Sequence, residues 1–469
     1  MMSDACCSRR SFVRSLAAGS ALLPGLVARL LADDARTSDD PLAPRQPQFP
    51  ARAKRVLFIY LSGGFSHIDS FDPKPRLVAD HGKEIKADHP EIKNRPGYER
   101  IFLKRPQWTF APHGRCGTEI SSLFPNVAAC ADELALIRSM HTSHSNHFNA
   151  TLGIHTGSFT VARPSIGSWV SYGLGTENRN LPSFVVLAPY TPYAGTQVWA
   201  SDFLPAEHQG TWVVPGAEPI ANVRRRAPTA RLQEIELAAL RERNAEHLAE
   251  RAGDPLLTAR LRSFETAAGM QLEAPEAFDL SREDDATLAL YGLKRGQQSG
   301  FGWQCLVARR LCERGVRFIE LIDSGSSNNW DSHGDMMEHA KLAKNVDLPT
   351  AGLLRDLRRR GMLEDTLVVF TTEFGRTPFN SSAEHKGREH HSWAFSSWLA
   401  GAGVKAGSVY GETDDIGMRV AKDPVHAHDF HATILHLMGF DHTRLTYRHS
   451  GRDYRLTDVA GNVVTGLLA

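Results

Sequence analysis

This sequence predicts an α/β fold with a mostly parallel sheet and helices on both faces. Three observations point there. Short, continuous apolar runs rich in β-branched and aromatic residues recur along the chain. Amphipathic helical patterns separate them, as the crossovers of a parallel sheet require. Dense groups of polar residues stand just after several of the runs, where the strands' carboxyl ends would place a site.

The chain has 469 residues, with 54 Lys+Arg against 53 Asp+Glu. So even a balance offers no basic surplus for nucleic acid and no acidic tail. No apolar run reaches the ~18 residues of a membrane-spanning helix, so an integral membrane protein is not expected once the chain is processed.

The N-terminus reads as an address. Arg9-Arg10, Phe12 and an apolar stretch from about Leu16 to Leu31 match a twin-arginine signal. Residues 1–32 are therefore assigned to a signal peptide read by the twin-arginine export machinery, with a periplasmic or extracellular destination. Its removal leaves 50 basic and 52 acidic side chains. In an oxidising compartment Cys116 and Cys130 could be a disulfide or two thiols, and both readings stay open. Cys305 and Cys312, seven apart on one helix, are too far apart to bridge.

Residues 33–53 are polar and Pro-rich and read as a linker. Residues 54–469 read as one domain. The predicted strands are Val56–Leu61, Leu134–Arg138, Phe184–Ala188, Val316–Ile322, Thr366–Thr371 and Ala394–Ala400. Residues 225–315, rich in Ala, Leu, Glu and Arg, read as amphipathic helices that cover the sheet or are inserted beside it, a helical insertion at about 225–315.

The polar groups follow strand ends. After the first run come Gly63-Gly64, then His67, Asp69 and Asp72. After the second come His141, Thr142, Ser143, His144, Ser145 and His147, with His155 beyond. After the fourth stand Asp331 and His333, two apart and so on one side of an extended segment. After the fifth come Glu373 and Arg376, then Arg388 and His390. Carboxylate with imidazole suits Zn, Mn or Fe. Asp331, His333, Glu373 and His390 are the first metal-ligand candidates, and His67, Asp69 and Asp72 the next. Arg376 and Arg388 are candidates for holding an oxyanion.

In this order the strings G-G-x-S-H-x-D-x-F-D-P-K-P, W-D-x-H, T-E-F-G-R-T-P and G-R-[DE]-H resemble the exported domain-of-unknown-function family fifteen-hundred-and-one, over roughly residues 54–465. That family is placed in the alkaline phosphatase/sulfatase-like superfamily. The resemblance implies an alkaline-phosphatase-like core and a metal-dependent hydrolase of phosphate or sulfate esters, its substrate a small molecule or a glycan ester. It implies a divalent cofactor, with Zn or Mn expected. Two departures stand out. Gly63-Gly64 occupies the place of a ligand Asp, and Phe374 the place of a ligand His. The Cys/Ser-x-Pro-Ser-Arg string that yields formylglycine is absent. Catalysis then falls to Ser145 or a neighbouring hydroxyl, to His147, or to a water activated by the metal. The alternative is a non-catalytic binding or scaffold protein of the same fold.

Overall fold

The computed structural model describes residues 40–86, 92, 97–251 and 254–469. The predicted signal segment 1–32 and the first residues of the predicted linker lie outside the described residues.

A nine-stranded sheet organises the chain. Its members are β1 (Arg55–Tyr60), β2 (Leu134–His141), β3 (Phe184–Leu187), β4 (Thr211–Val213), β5 (Phe318–Ile322), β6 (Thr366–Thr371), β7 (Phe395–Ala400), β8 (Ser408–Tyr410) and β9 (Val425–His426). The order is β8-β2-β7-β6-β1-β5-β3-β4, and β9 also pairs with β2. All six predicted runs are strands of this sheet. β1 lies between β6 and β5, parallel to both, and its last five residues are buried. Burial on both faces is why the run is apolar without alternation. Alternation reappears in which core each side chain joins: Leu57 and Ile59 enter one, Val56, Phe58 and Tyr60 the other.

β7 departs from the parallel expectation. It runs antiparallel to both β6 and β2. A parallel return needs a crossover, usually a helix. Between Thr371 and Phe395 the chain forms only loops and the short paired segments Gly375–Arg376, Phe379–Asn380 and His390–His391.

Helices cover both faces. α1 (His147–Thr156), α2 (Ile166–Leu174) and α7 (Ala427–Leu437) pack on one, through residues such as Leu152, Trp169 and Phe430. α5 (Phe301–Glu313) and α6 (Glu338–Arg359) pack on the other, through Leu306, Leu311, Leu353 and Leu357. The predicted insertion is not uniform. α5 is buried over most of its length and belongs to the sheet's cover. α3 (Ala230–Ala249) buries only Gln233, and α4 (Pro255–Phe278) lies between, its Ala274 and Ala277 in the core. The end of the Pro-rich stretch is strapped to the body rather than free: Arg45 N–H donates to Leu174 O (2.9 Å), and Ala53 N–H to Leu437 O (2.8 Å). Cys116, Cys130, Cys305 and Cys312 are free thiols, with Cys116 exposed and Cys130 buried. Among the described residues no helix is long and apolar enough to cross a membrane.

Candidate functional site

Loops leaving the carboxyl ends of β1, β2, β3, β5 and β6 meet at one edge of the sheet. After β1 the chain turns through Gly63 and Gly64, with φ of +111° and +70°. A Cβ on Gly63 would sit 2.7 Å from Trp330 N, and one on Gly64 would sit 2.8 Å from the Phe374 ring. The glycines therefore let three loops close against one another.

α1 supplies the imidazole. Asn146 caps it, its side chain accepting from Phe148 N–H and Asn149 N–H, and Gly157 in the left-handed region ends it. Positions 147, 151 and 155 are four apart and share one face. Each meets a different strand or strand end. His147 Nδ1 lies 2.7 Å from Glu373 Oε1, just past β6. Thr151 Oγ1 bonds the Tyr60 hydroxyl on β1 (2.8 Å). His155 Nε2 lies 2.6 Å from Glu320 Oε1 on β5, and its Nδ1 faces Thr151 O (2.7 Å). This polar stripe docks the helix on an otherwise apolar sheet.

His147 Nε2 points the other way, 3.2 Å from Asp331 Oδ2. It is buried and has no aligned hydrogen-bond partner. His390 repeats the arrangement: its Nδ1 faces Ser145 O at 2.8 Å, and its Nε2 lies 3.1 Å from Asp331 Oδ1. A carbonyl only accepts, so His390 Nδ1 carries the hydrogen and Nε2 presents a lone pair. One ligand atom from each of His147, Asp331 and His390 falls within 4.8 Å of the others. Imidazoles anchored through Nδ1 to a carboxylate or carbonyl, with Nε2 converging beside a carboxylate, fit a divalent metal.

The sequence from residue 53 to residue 468 matches the model of the family described as "Protein of unknown function (DUF1501)". The chain belongs to the DUF1501 family. No curated protein matches it. Solved structures similar to this DUF1501 chain include the lipoteichoic acid synthase LtaP from Listeria monocytogenes, at 10% identity and TM-score 0.38, covering 91% of this chain and 80% of that one. The PsFucS1 sulfatase from Pseudoalteromonas sp. is similar at 14% identity and TM-score 0.35, covering 84% and 68%. The phosphonate monoester hydrolase SpPMH from Silicibacter pomeroyi follows at 11% and 0.32, covering 82% and 73%.

In the DUF1501 chain the predicted site residues separate into three groups. His147, Asp331 and His390 converge. His333 stands beside them, half-exposed, with Nε2 2.8 Å from Asp331 Oδ1 and Nδ1 3.2 Å from Glu389 Oε2. Ser145 gives its carbonyl to His390 and lines, with Asn146, Thr377, Glu389 and Ser392, a neighbouring cleft of about 330 Å³. Glu373 is wholly buried behind His147. Its oxygens accept from Gly63 N–H (2.9 Å), Tyr60 Oη (2.9 Å) and Thr372 Oγ1 (2.8 Å) besides facing His147.

Arg376 and Arg388 are directed into the protein. Arg376 donates to Asp331 Oδ1 (2.7 Å), Gly64 O (2.8 Å), Gly63 O, Trp330 O and Arg388 O. Arg388 donates to Asp69 Oδ2 (2.7 Å) and to the carbonyls of Thr377, Lys104 and Arg105. Loop carbonyls and buried carboxylates therefore take donors that were expected to face an oxyanion. Asp69, Asp72 and His67 stand apart from the centre. Asp69 pairs with Arg388. Asp72 pairs with Lys74 (3.0 Å) and accepts from Thr413. His67 lies 3.2 Å from Gly417 O and stacks on His391.

The local field follows from these contacts. Burial works to raise the Asp331 pKa, but the facing imidazoles of His147, His333 and His390, and the Arg376 charge, hold it well below the usual carboxylate range. Asp331 and Glu389 lift His333 to about 9. Burial lowers His390. It lowers His147 as well, yet Asp331 and Glu373 together raise it overall.

Sequence reading missed Tyr60, Thr151, Glu389 and Tyr193. Thr151 had a signal, since counting in fours from His147 reaches Thr151 and then His155. Of the other residues in the His141–His155 cluster, His141 packs on His426, Ser143 bonds His426 Nε2 (3.0 Å), and His144 stacks on Phe159. His155 itself lies in the core. Its Nδ1–H donates to a carbonyl, and its Nε2 faces the buried Glu320 carboxyl. Glu320→Ala would strand that buried imidazole and is expected to cost about 3–5 kcal/mol, as broken buried pairs do. Glu320→Gln, which keeps a hydrogen bond, should cost about 1 kcal/mol. Urea unfolding checks both, and an alanine variant within error of the parent would show that the pair carries no stability.

Proposed function

We propose that this chain is an exported hydrolase of phosphate or sulfate esters that uses one divalent ion, Zn or Mn, held by His147, Asp331 and His390. The supporting observation is the pair of imidazoles, each anchored through Nδ1, whose Nε2 atoms converge on one carboxylate. A bound divalent ion would supply positive charge to the ester's oxygens and would acidify a coordinated hydroxyl. The motif resemblance to the alkaline phosphatase/sulfatase-like superfamily supports the same chemistry.

The chain's own residues divide the remaining work. Glu373 keeps a proton on His147 Nδ1, so that Nε2 faces the site. Its saturated oxygens suit it to that orienting role rather than to direct ligation. Arg376 holds Asp331 in place. His333, held by Glu389 and reachable from solvent, is suited to give a proton to the leaving oxygen. Water is the nucleophile in this reading. The second reading, a metal-binding scaffold without turnover, is favoured by one observation: the donors of Arg376 and Arg388 are engaged within the protein, leaving the oxyanion to the ion and His333.

The test uses chain purified without added metal, then titrated with Zn²⁺ and Mn²⁺ and assayed on aryl phosphate and aryl sulfate. About one ion per chain should bind, and one ester class should turn over. Ser145→Ala should retain measurable activity, whereas His147→Ala should lose most of it. A phosphorylated or sulfated Ser145 trapped in single turnover would replace water with the serine. A loaded parent that turns over neither ester would leave the scaffold reading.

A further inference from the structure

The orientation of His147 has a second support that the hydrogen bonds do not supply. One hydrogen bond at Nδ1 leaves the imidazole free to tilt about that contact, because the terminal torsion of histidine is soft. Tyr193 removes this freedom. Its ring lies 4.2 Å from the His147 ring, centroid to centroid, with planes 9° apart. Phe374 meets the same imidazole at 4.7 Å, and His390 meets it edge-on at 4.2 Å.

Tyr193 reaches this position on the loop after β3. That loop turns through Ala194, a non-glycine residue at φ +66°, and is tied to the loop after β5 by Ser326 N–H donating to Thr191 O (3.2 Å). The phenol reaches the side chain of Asn329. Asn329 Oδ1 accepts from Asp331 N–H (3.1 Å), and its Nδ2 donates to Gly325 O (2.9 Å). One half-buried side chain thus touches the imidazole from α1 and the turn that carries the carboxylate.

We infer that Tyr193 is a positioning residue: its ring fixes the plane of His147, and its phenol braces that imidazole against the Asn329–Asp331 turn. The consequence for metal affinity rests on the metal-binding reading above, but the consequence for the imidazole does not. Outer-shell partners of metal ligands contribute roughly 10–100-fold to affinity. Tyr193 contacts two ligand-bearing elements and is expected in that range.

The experiment uses the full chain with Tyr193→Leu, which removes the ring, and Tyr193→Phe, which keeps it. Zn²⁺ titration should show Tyr193→Leu weakened about 10–100-fold and Tyr193→Phe by less than about 10-fold, with thermal midpoints matching the parent. NMR of the metal-free His147 ring gives a readout independent of metal. Its carbon-bound protons should be displaced upfield by the stacked ring in the parent and in Tyr193→Phe, and should return downfield in Tyr193→Leu. His147 resonances unchanged in Tyr193→Leu would overturn the inference, as would unchanged Zn²⁺ affinity in a parent that binds the ion. A parent that takes up no ion while Tyr193→Leu still shifts the His147 ring would remove the metal reading and uphold the positioning role.

Discussion

Asp331→Ala is expected to abolish ion binding and to destabilise the fold in the same step. Four groups converge on this carboxylate: Arg376 Nη2 at 2.7 Å, His333 Nε2 at 2.8 Å, His390 Nε2 at 3.1 Å and His147 Nε2 at 3.2 Å. Its removal takes away a proposed ligand and the carboxylate on which the other two converge. Affinity for Zn²⁺ should fall on the order of 100-fold or more, beyond the range for outer-shell partners. Arg376 is fully buried, and its carboxylate partner would be gone. An uncompensated buried charge costs about 3–5 kcal/mol. Asp331→Asn keeps the shape and one acceptor, so it should lose the ion with a smaller loss of stability. Metal content and urea midpoints of the two variants separate these effects. A full ion complement in Asp331→Ala would place the site elsewhere.

Stability should also fall steeply as the pH drops below about 6.5, the ordinary histidine value. Burial holds His67, His208 and His431 at about 3, and all three side chains are almost wholly inaccessible. Above 6.5 these imidazoles are neutral folded or unfolded and contribute no pH dependence. Below it the unfolded chain takes up protons that the folded chain refuses, so the balance shifts toward unfolding until about pH 3. Each group contributes about 1.4 kcal/mol per pH unit in that window. Three acting together reach a whole domain's stability of about 5–15 kcal/mol within a few pH units. Burial likewise holds His426 down, at about 4, and adds in the same direction. Urea midpoints measured from pH 7 to pH 4.5 check this, and His431→Gln should flatten the profile. A midpoint that stays level from pH 7 to pH 5 would show that these imidazoles are not held neutral.

Much of the scaffold was legible because a strand buried on both faces must be apolar whatever its partners are. The six runs met that condition, and all six are strands. The direction of β7 was not in its composition. A strand reads the same parallel or antiparallel, and the connection decides. Twenty-odd residues without a crossover helix oblige Phe395–Ala400 to return antiparallel. Which helices of the 225–315 segment cover the sheet was not in their composition for a related reason: α3 and α5 are both helical, but α5 lies against the sheet and α3 on the surface.

The sequence by itself determined where chemistry could gather, at the ends of apolar runs, and which chemistry was missing, since no formylglycine string occurs. It also placed Asp331 and His390 among the candidates. Only the tertiary structure decided how the charged groups divide. Asp69 and Arg388, 319 positions apart, neutralise each other in the interior. Glu373 and His147, 226 apart, set an imidazole's orientation. Arg376 serves Asp331 and the loop carbonyls. A buried charge must find an opposite charge or a hydrogen bond, and which group answers depends on helix phase and loop closure across the sheet. Spacing along the chain encodes neither, so residues alike in type became proposed ligand, orienting group or structural pair according to what the fold set beside them.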